Sequence, residues 1–259
     1  MSRLHAWLAS GLIVAALPAL PVAANILAQD SVPRVEDPLC PGVMGMQVGP
    51  ALQILDRIRD NARRLNIRLA DPDSCSPNLL VAFVDDSRES VVKLMHSQPQ
   101  LFETLSMPQR RELLASNGAV RAWNVVTTRS RDGMWVGHRE DLVDIPQARM
   151  WNAHSKIYTP TRQDIISTIV LFDNQSSSGL TTKQLADYAT MRSLASDFTA
   201  YHDRKNSILS LFDNGAGRSK ELSESDVAFL RDVYSGIANL PHTSKERTIE
   251  HQLEEQEAG

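Results

Sequence analysis

Few residues in this chain carry reactive chemistry, and they fall into three groups. Cys40 and Cys75 are the only thiols in 259 residues. Neither has a neighbouring histidine and no CxxC occurs, so a thiol nucleophile or a metal-binding pair lacks local partners. An isolated pair in an oxidising compartment is expected to form a structural disulfide. Asp187, Asp197, His202 and Asp203 form the second group. Carboxylates near an imidazole suit metal binding, or a hydrolytic site built on His202 with Asp197 or Asp203. The plainer alternative is a hydrogen-bonded surface histidine. The third group, Trp135, His138, Arg139 and Trp151, sits in the least regular stretch. Aromatic residues with arginine favour binding surfaces or a groove loop, whereas tryptophan is also, on average, highly buried. Ser176-Ser177-Ser178-Gly179 lacks the GxSxG elbow and reads as a turn. There is no HExxH, phosphate loop or dinucleotide fingerprint, and no cofactor is expected.

The elements that must position these residues alternate between helix and strand. Leu52, Leu55, Ile58, Ala62 and Leu65 recur three or four apart and predict an amphipathic helix from about Gly49. Its arginines, Arg57 among them, read as a solvated face interleaved with Asp56 and Asp60. Leu79 to Val84 is a continuous apolar run that predicts a buried strand. Asp86 with Glu89, and Ser106 with Gln109, carry capping-box spacing for two helices. Ala119–Thr128 and Ile165–Phe172 read as strands, and a helix is expected from about Thr181 to Ala195. The segment from Leu222 starts a further helix in a C-terminal part that is helical in tone. This mixed order predicts an α+β fold, a mixed sheet packed with helices. The faces Leu52/Leu55/Ile58/Leu65, Leu80/Ala82/Val84 and Ile169/Leu171 are expected to be buried together, with Leu80→Asp severely destabilising.

Two segments in the C-terminal half resemble a known family. Gln184 to Ala195, QLADYATMRSLA, is similar to the active-site helix of zincin metallopeptidases, the metzincin group in particular. Ser207-Ile208-Leu209-Ser210 resembles the family's S-I-M or S-L-M turn beneath the zinc. Leu222-Ser223-Glu224-Ser225-Asp226 through Gly236 is similar to its closing helix, and order and spacing agree across 184–236. The resemblance implies a zincin-like sheet and a groove between the sheet edge and the helix 181–195. It also implies a lost metal site. In the register set by Ser193-Leu194, the two helical histidine positions hold Tyr188 and Arg192. The general-base position holds Ala189, the third histidine position Phe198 and the turn methionine position Leu209. A guanidinium repels a cation and alanine moves no proton, so neither metal nor peptidase chemistry is expected.

Residues 1–24 read as a cleavable secretory signal. Arg3 and His5 precede the uncharged run from Ala6 to Leu20, and Pro21-Val22-Ala23-Ala24 supplies small residues for cleavage. The expected location is therefore the periplasm or outside a bacterial cell. Residues 25–37 form an extended lead-in, 38–242 one domain and 243–259 a charged tail. Loss of Arg3 leaves 26 basic against 31 acidic residues, a net charge of −5. That balance argues against a nucleic-acid partner, and no later apolar run is long enough to span a membrane. The function expected is an exported, non-catalytic protein that binds an unknown protein or peptide partner. A hydrolase with an unfamiliar site around His202 and a structural envelope component are the alternatives.

Overall fold

A computed structural model describes residues 31–116, 118–136, 159–196, 198, 201, 205–213 and 219–240. The fold is α+β. Four strands form one mixed sheet in the order β1-β2-β4-β3: β1 is Pro41–Met44, β2 Leu79–Val84, β3 Val120–Ser130 and β4 Thr161–Asp173. β1, β2 and β4 run parallel, while β3 runs antiparallel to β4 and forms one edge. The predicted strands are all present, and β3 and β4 extend beyond their apolar stretches into polar ends.

Helices cover both faces of the sheet. α1, Val48–Arg64, and α5, Thr182–Leu194, pack together on one face. α2, Ser87–Ser97, a 3-10 turn at Pro99–Phe102, and α3, Met107–Ala115, cover the other. A short α4, Asn174–Ser177, follows β4; a 3-10 turn, Ile208–Phe212, and α6, Glu224–Tyr234, complete the order. Among the described residues no helix is long and apolar enough to cross a membrane.

The period of two along each strand divides the core. Leu79, Val81 and Phe83 of β2 face α1 and α5, with Val170 and Phe172 of β4. Ala82, Trp123, Val125, Ile169 and Leu171 face α2 and α3. The expected single grouping is therefore corrected: Ile58 and Leu65 lie on one side of the sheet, and Ala82, Ile169 and Leu171 on the other. The buried stripe of α1 is Ile54, Ile58 and Ala62, spaced four apart, with Leu55 half-buried and Leu52 exposed. Leu80 and Val84 are also half-buried.

Capping follows the sequence signals. Ser106 and Gln109 form a reciprocal capping box on α3, and Thr181 with Gln184 and Ser223 with Asp226 do so on α5 and α6. Asp86 accepts from the Glu89 N–H at 2.8 Å at the start of α2. Cys40 and Cys75 form the expected disulfide, with Cα atoms 6.2 Å apart, joining the start of β1 to the loop before β2. Gly45 follows β1 with a positive φ of 81°, and a Cβ there would lie 2.1 Å from the Phe83 carbonyl oxygen. Only glycine satisfies both conditions.

The described part of the lead-in is built into the domain. Ser31, Arg34, Val35 and Leu39 are buried. Arg34 pairs with the lower half of β4, its carbonyl accepting from Ile165 N at 2.9 Å, and Ser31 Oγ accepts from Gln163 N at 2.8 Å. Arg129 binds Asp37 through both Nη atoms at 3.0 and 2.7 Å. Asp164, almost fully buried, receives Arg162 at 2.9 Å and Arg129 at 3.4 Å.

Candidate functional site

The site is a groove around the open edge of β3. Antiparallel pairing alternates bonded and open residues along a strand. Asp173 N donates to the Ala119 carbonyl at 3.0 Å, which makes Arg121 and Trp123 the residues bonded to β4. Thr168 N donates the other way, to Asn78 at 2.9 Å, in agreement with that phase. Val120, Ala122 and Asn124 therefore turn their backbone N–H and C=O groups toward the open edge. Past the bulge at Val125/Val126, the Val126 N–H is taken by Thr104 Oγ1 at 3.3 Å. Among the described residues, nothing bonds the backbone groups of Val120, Ala122 or Asn124 on that side.

The groove has a volume of about 870 Å³. One wall is the C-terminal end of α5 and the chain just after it, with Arg192, Ala195 and Phe198. Gln109, Glu112 and Leu113 of α3 form the opposite wall, and Ser31 and Pro33 of the lead-in also line it. The edge strand is rigidly seated. Arg121 is buried and donates from Nε to the Leu113 carbonyl at 3.0 Å and from its Nη atoms to Ser87 Oγ and the Ser116 carbonyl. Trp123 donates from Nε1 to the Leu101 carbonyl at 3.0 Å and stacks on Phe102 with ring centroids 5.0 Å apart.

The four positions singled out on and after α5 have different fates. Arg192 and Phe198 line the groove, and the Arg192 guanidinium lies 5.6 Å from the Phe198 ring centroid. Arg192 has no ion pair among the described residues. Ala189 is wholly buried. Tyr188 packs in an aromatic cluster, its ring 5.0 Å from Phe212 and 5.9 Å from Phe172. Burial pushes the Tyr188 hydroxyl above the usual phenol range, partly offset by the Arg192 cation. Leu209 is half-buried against the same core. These side chains do not fit a zinc ion: a neutral phenol among aromatic rings, a methyl group without access and a guanidinium offer no metal ligand set.

Two buried aspartates organise the elements behind the groove. Asp187, fully buried on α5, accepts from Arg57 Nε at 2.7 Å, Arg57 Nη2 at 2.8 Å, Asn61 Nδ2 at 2.7 Å and the Leu222 N–H at 3.1 Å. It is thus an internal counter-ion for α1 rather than a metal ligand, and Arg57 points inward rather than into solvent. Asp226, also fully buried, accepts from Tyr201 Oη at 2.8 Å, Ser207 Oγ at 2.5 Å, Ile208 N at 2.9 Å and Ser223 N at 2.9 Å. It ties the start of α6 to the turn at Ser207. Burial, with the Asp226 charge, pushes the Tyr201 hydroxyl well above the usual phenol range. Sequence reasoning missed both roles, although Asp226 at the third position after Ser223 was a legible capping signal.

Trp135 is exposed rather than a core plug, with Arg129 stacked 4.7 Å from its ring centroid, and it does not line the groove. His138, Arg139, Trp151, Asp197, His202 and Asp203 lie outside the described residues, as do residues 1–30 and the tail from 241. Among the described residues no cluster of three His, Cys, Asp or Glu side chains could hold a metal ion. No protein-family model, curated protein or solved structure matches this chain.

Proposed function

We propose that this chain is an exported, non-catalytic binding protein that seats an extended peptide segment along the open edge of β3. The observation that carries the proposal is the backbone of Val120, Ala122 and Asn124, which among the described residues has no partner on the open side, inside a groove walled by α3 and the end of α5. An exposed strand edge is a template for an added strand, whose main chain supplies affinity while flanking pockets select side chains. Export is supported by the character of residues 1–24 and is compatible with the Cys40–Cys75 bond.

A zincin-like scaffold is the framework we infer for this groove. Its support is the bond network of Asp226, which joins the Ser207 turn to the closing helix, the two short segments that resemble the family. An antiparallel edge strand beside the strand that leads to α5 also agrees with the groove that the resemblance implies. Tyr188, Ala189, Arg192 and Phe198 carry no peptidase chemistry in that framework.

Binding of the mature chain to random heptapeptides tethered by their N-termini tests the proposal. The comparison is with Ala122→Pro, which removes one edge donor but no bond within the sheet. The expected result is saturable binding that Ala122→Pro weakens about ten-fold or more with an unchanged far-ultraviolet spectrum. Binding indifferent to Ala122→Pro would place the partner elsewhere. Metal analysis and a peptidase assay on the same protein should give no stoichiometric zinc and no chelator-sensitive cleavage.

A further inference from the structure

We infer that the occupant of the β3 groove carries a carboxylate, and that Arg192 is the residue that receives it; this rests on the strand-addition reading above. Among the described residues, three ionisable side chains line the groove, Glu112, Arg121 and Arg192. Arg121 is spent on Leu113, Ser116 and Ser87 and holds α3 to the sheet. Glu112 is exposed on the opposite wall. Arg192 is different: it is half-buried in the last turn of α5, and among the described residues it has neither a carboxylate nor a carbonyl partner. Other arginines packed against this domain are paired, Arg57 with Asp187, Arg129 with Asp37 and Arg162 with Asp164.

Placement sharpens the inference. A ring face at 5.6 Å, that of Phe198, accompanies the guanidinium. A guanidinium over the face of an aromatic ring is held there by a cation–π contact that uses none of its N–H donors, which leaves the fork free to take a carboxylate through two parallel bonds. Half-burial lowers solvent competition for that pair without hiding the cation from a ligand. The other described groove residues near this wall, Ala195, Ser196 and Phe198, are neutral and offer no competing charge. The carboxylate of an extended peptide has two sources, the chain end and an Asp or Glu side chain, and both meet Arg192 with the same chemistry.

Four pools of tethered random heptapeptides separate the possibilities: free-acid or amidated ends, each with or without Asp and Glu. The amidated pool without Asp and Glu should bind about ten- to a hundred-fold more weakly than the best pool, the range of one charge-assisted contact. Retention by the free-acid pool without Asp and Glu assigns the chain end; retention by the amidated pool that contains them assigns a side chain. Arg192→Gln should erase the difference between pools and Arg192→Lys should keep part of it, with thermal midpoints near that of the parent. Equal binding of all four pools, or a preference that survives Arg192→Gln, overturns the assignment of Arg192. If Ala122→Pro still weakens binding in that case, the strand-addition reading stands alone; if no pool binds the folded protein, both fall.

Discussion

Replacing Asp187 by asparagine tests whether the buried ion pair fixes α5 in place. The substitution keeps shape and removes the charge. The carboxylate accepts four hydrogen bonds, two from Arg57 and one each from Asn61 and the Leu222 N–H. An amide has one acceptor oxygen, and its NH2 group must face donors on the other side. Breaking one partner of a buried pair costs about 3–5 kcal/mol, and each orphaned buried donor about 1–3 kcal/mol. Two features reduce the total. The Arg57 side chain retains 23% exposure, and Glu221 lies 3.7 Å from its Nη2, so part of the lost charge is replaced. The expected loss is about 3 kcal/mol. For a chain of this size that lowers the thermal midpoint by about 6–12 °C.

The assay is thermal unfolding by circular dichroism with and without chelator, checked by urea titration. The loss should be the same in both buffers, because Asp187 acts through Arg57 and not through a metal. A double replacement, Arg57→Met with Asp187→Leu, should recover the part of the loss that comes from the unpaired Arg57 charge, and should keep the cost of the orphaned Asn61 and Leu222 donors. A midpoint for Asp187→Asn within about 2 °C of the parent would refute the energetic argument. A loss seen only before chelation would restore Asp187 as a metal ligand.

Reduction of the Cys40–Cys75 bond, which closes a separation of 35 residues, should cost about 3–4 kcal/mol; unfolding midpoints with and without reductant, with thiol titration, measure it. Val81→Asp, at a fully buried position, should prevent folding, whereas Leu80→Asp, at a half-buried one, should leave a folded and weakened protein; soluble yield and midpoint separate the two. The hydrogen bonds from Arg129 hold the Asp37 carboxyl below its ordinary value of 3.8, partly opposed by desolvation. Its contribution is therefore present above that value and lost as pH falls through the lower folded-state pKa. Asp37→Asn should lower the midpoint at neutral pH, by an amount that shrinks as the pH falls below 3.8; a deficit of equal size across that range would refute the linkage.

Local signals in the sequence identified β2, β3, β4 and the five longer helices, though not β1 or α4, because each is written within a few residues. The run Leu79–Val84 and the box at Ser106 are examples. What depends on distant partners was not legible. Arg57 lies at a position that periodicity assigns to solvent, and only the fold brings Asp187, 130 residues away, to its guanidinium. The stripe on α1 held at Ile58, Ala62 and Leu65 and was misplaced at its start: Leu52 and Leu55 fit the helical period, but the buried residue of that turn is Ile54. α5 shows little amphipathicity because it is buried on nearly every side, so composition alone gave no face. The sheet face of each strand residue was likewise ambiguous in a continuous apolar run, which is why Leu80 and Ile169 were assigned to the wrong grouping.

The four α5-region positions show why the groove, as these side chains build it, offers no metal ligand set. A metal site needs polar ligands that converge on open space, and each of these side chains fails one of those conditions. Tyr188 gives its ring to Phe172 and Phe212, so the space beside it is filled by packing that stabilises β4 against the Ile208–Phe212 turn. Ala189 has no exposed surface, and a glutamate there would have to bury a carboxylate with no donor aimed at it. Phe198 stacks on Phe229 with centroids 6.0 Å apart and so belongs to the α6 interface as well as to the groove wall. A single histidine introduced at any of these sites would disturb packing and still leave too few ligands. Of the four, Arg192 lines the groove with its polar end uncommitted among the described residues, and a cation in that place suits a negatively charged guest rather than a metal.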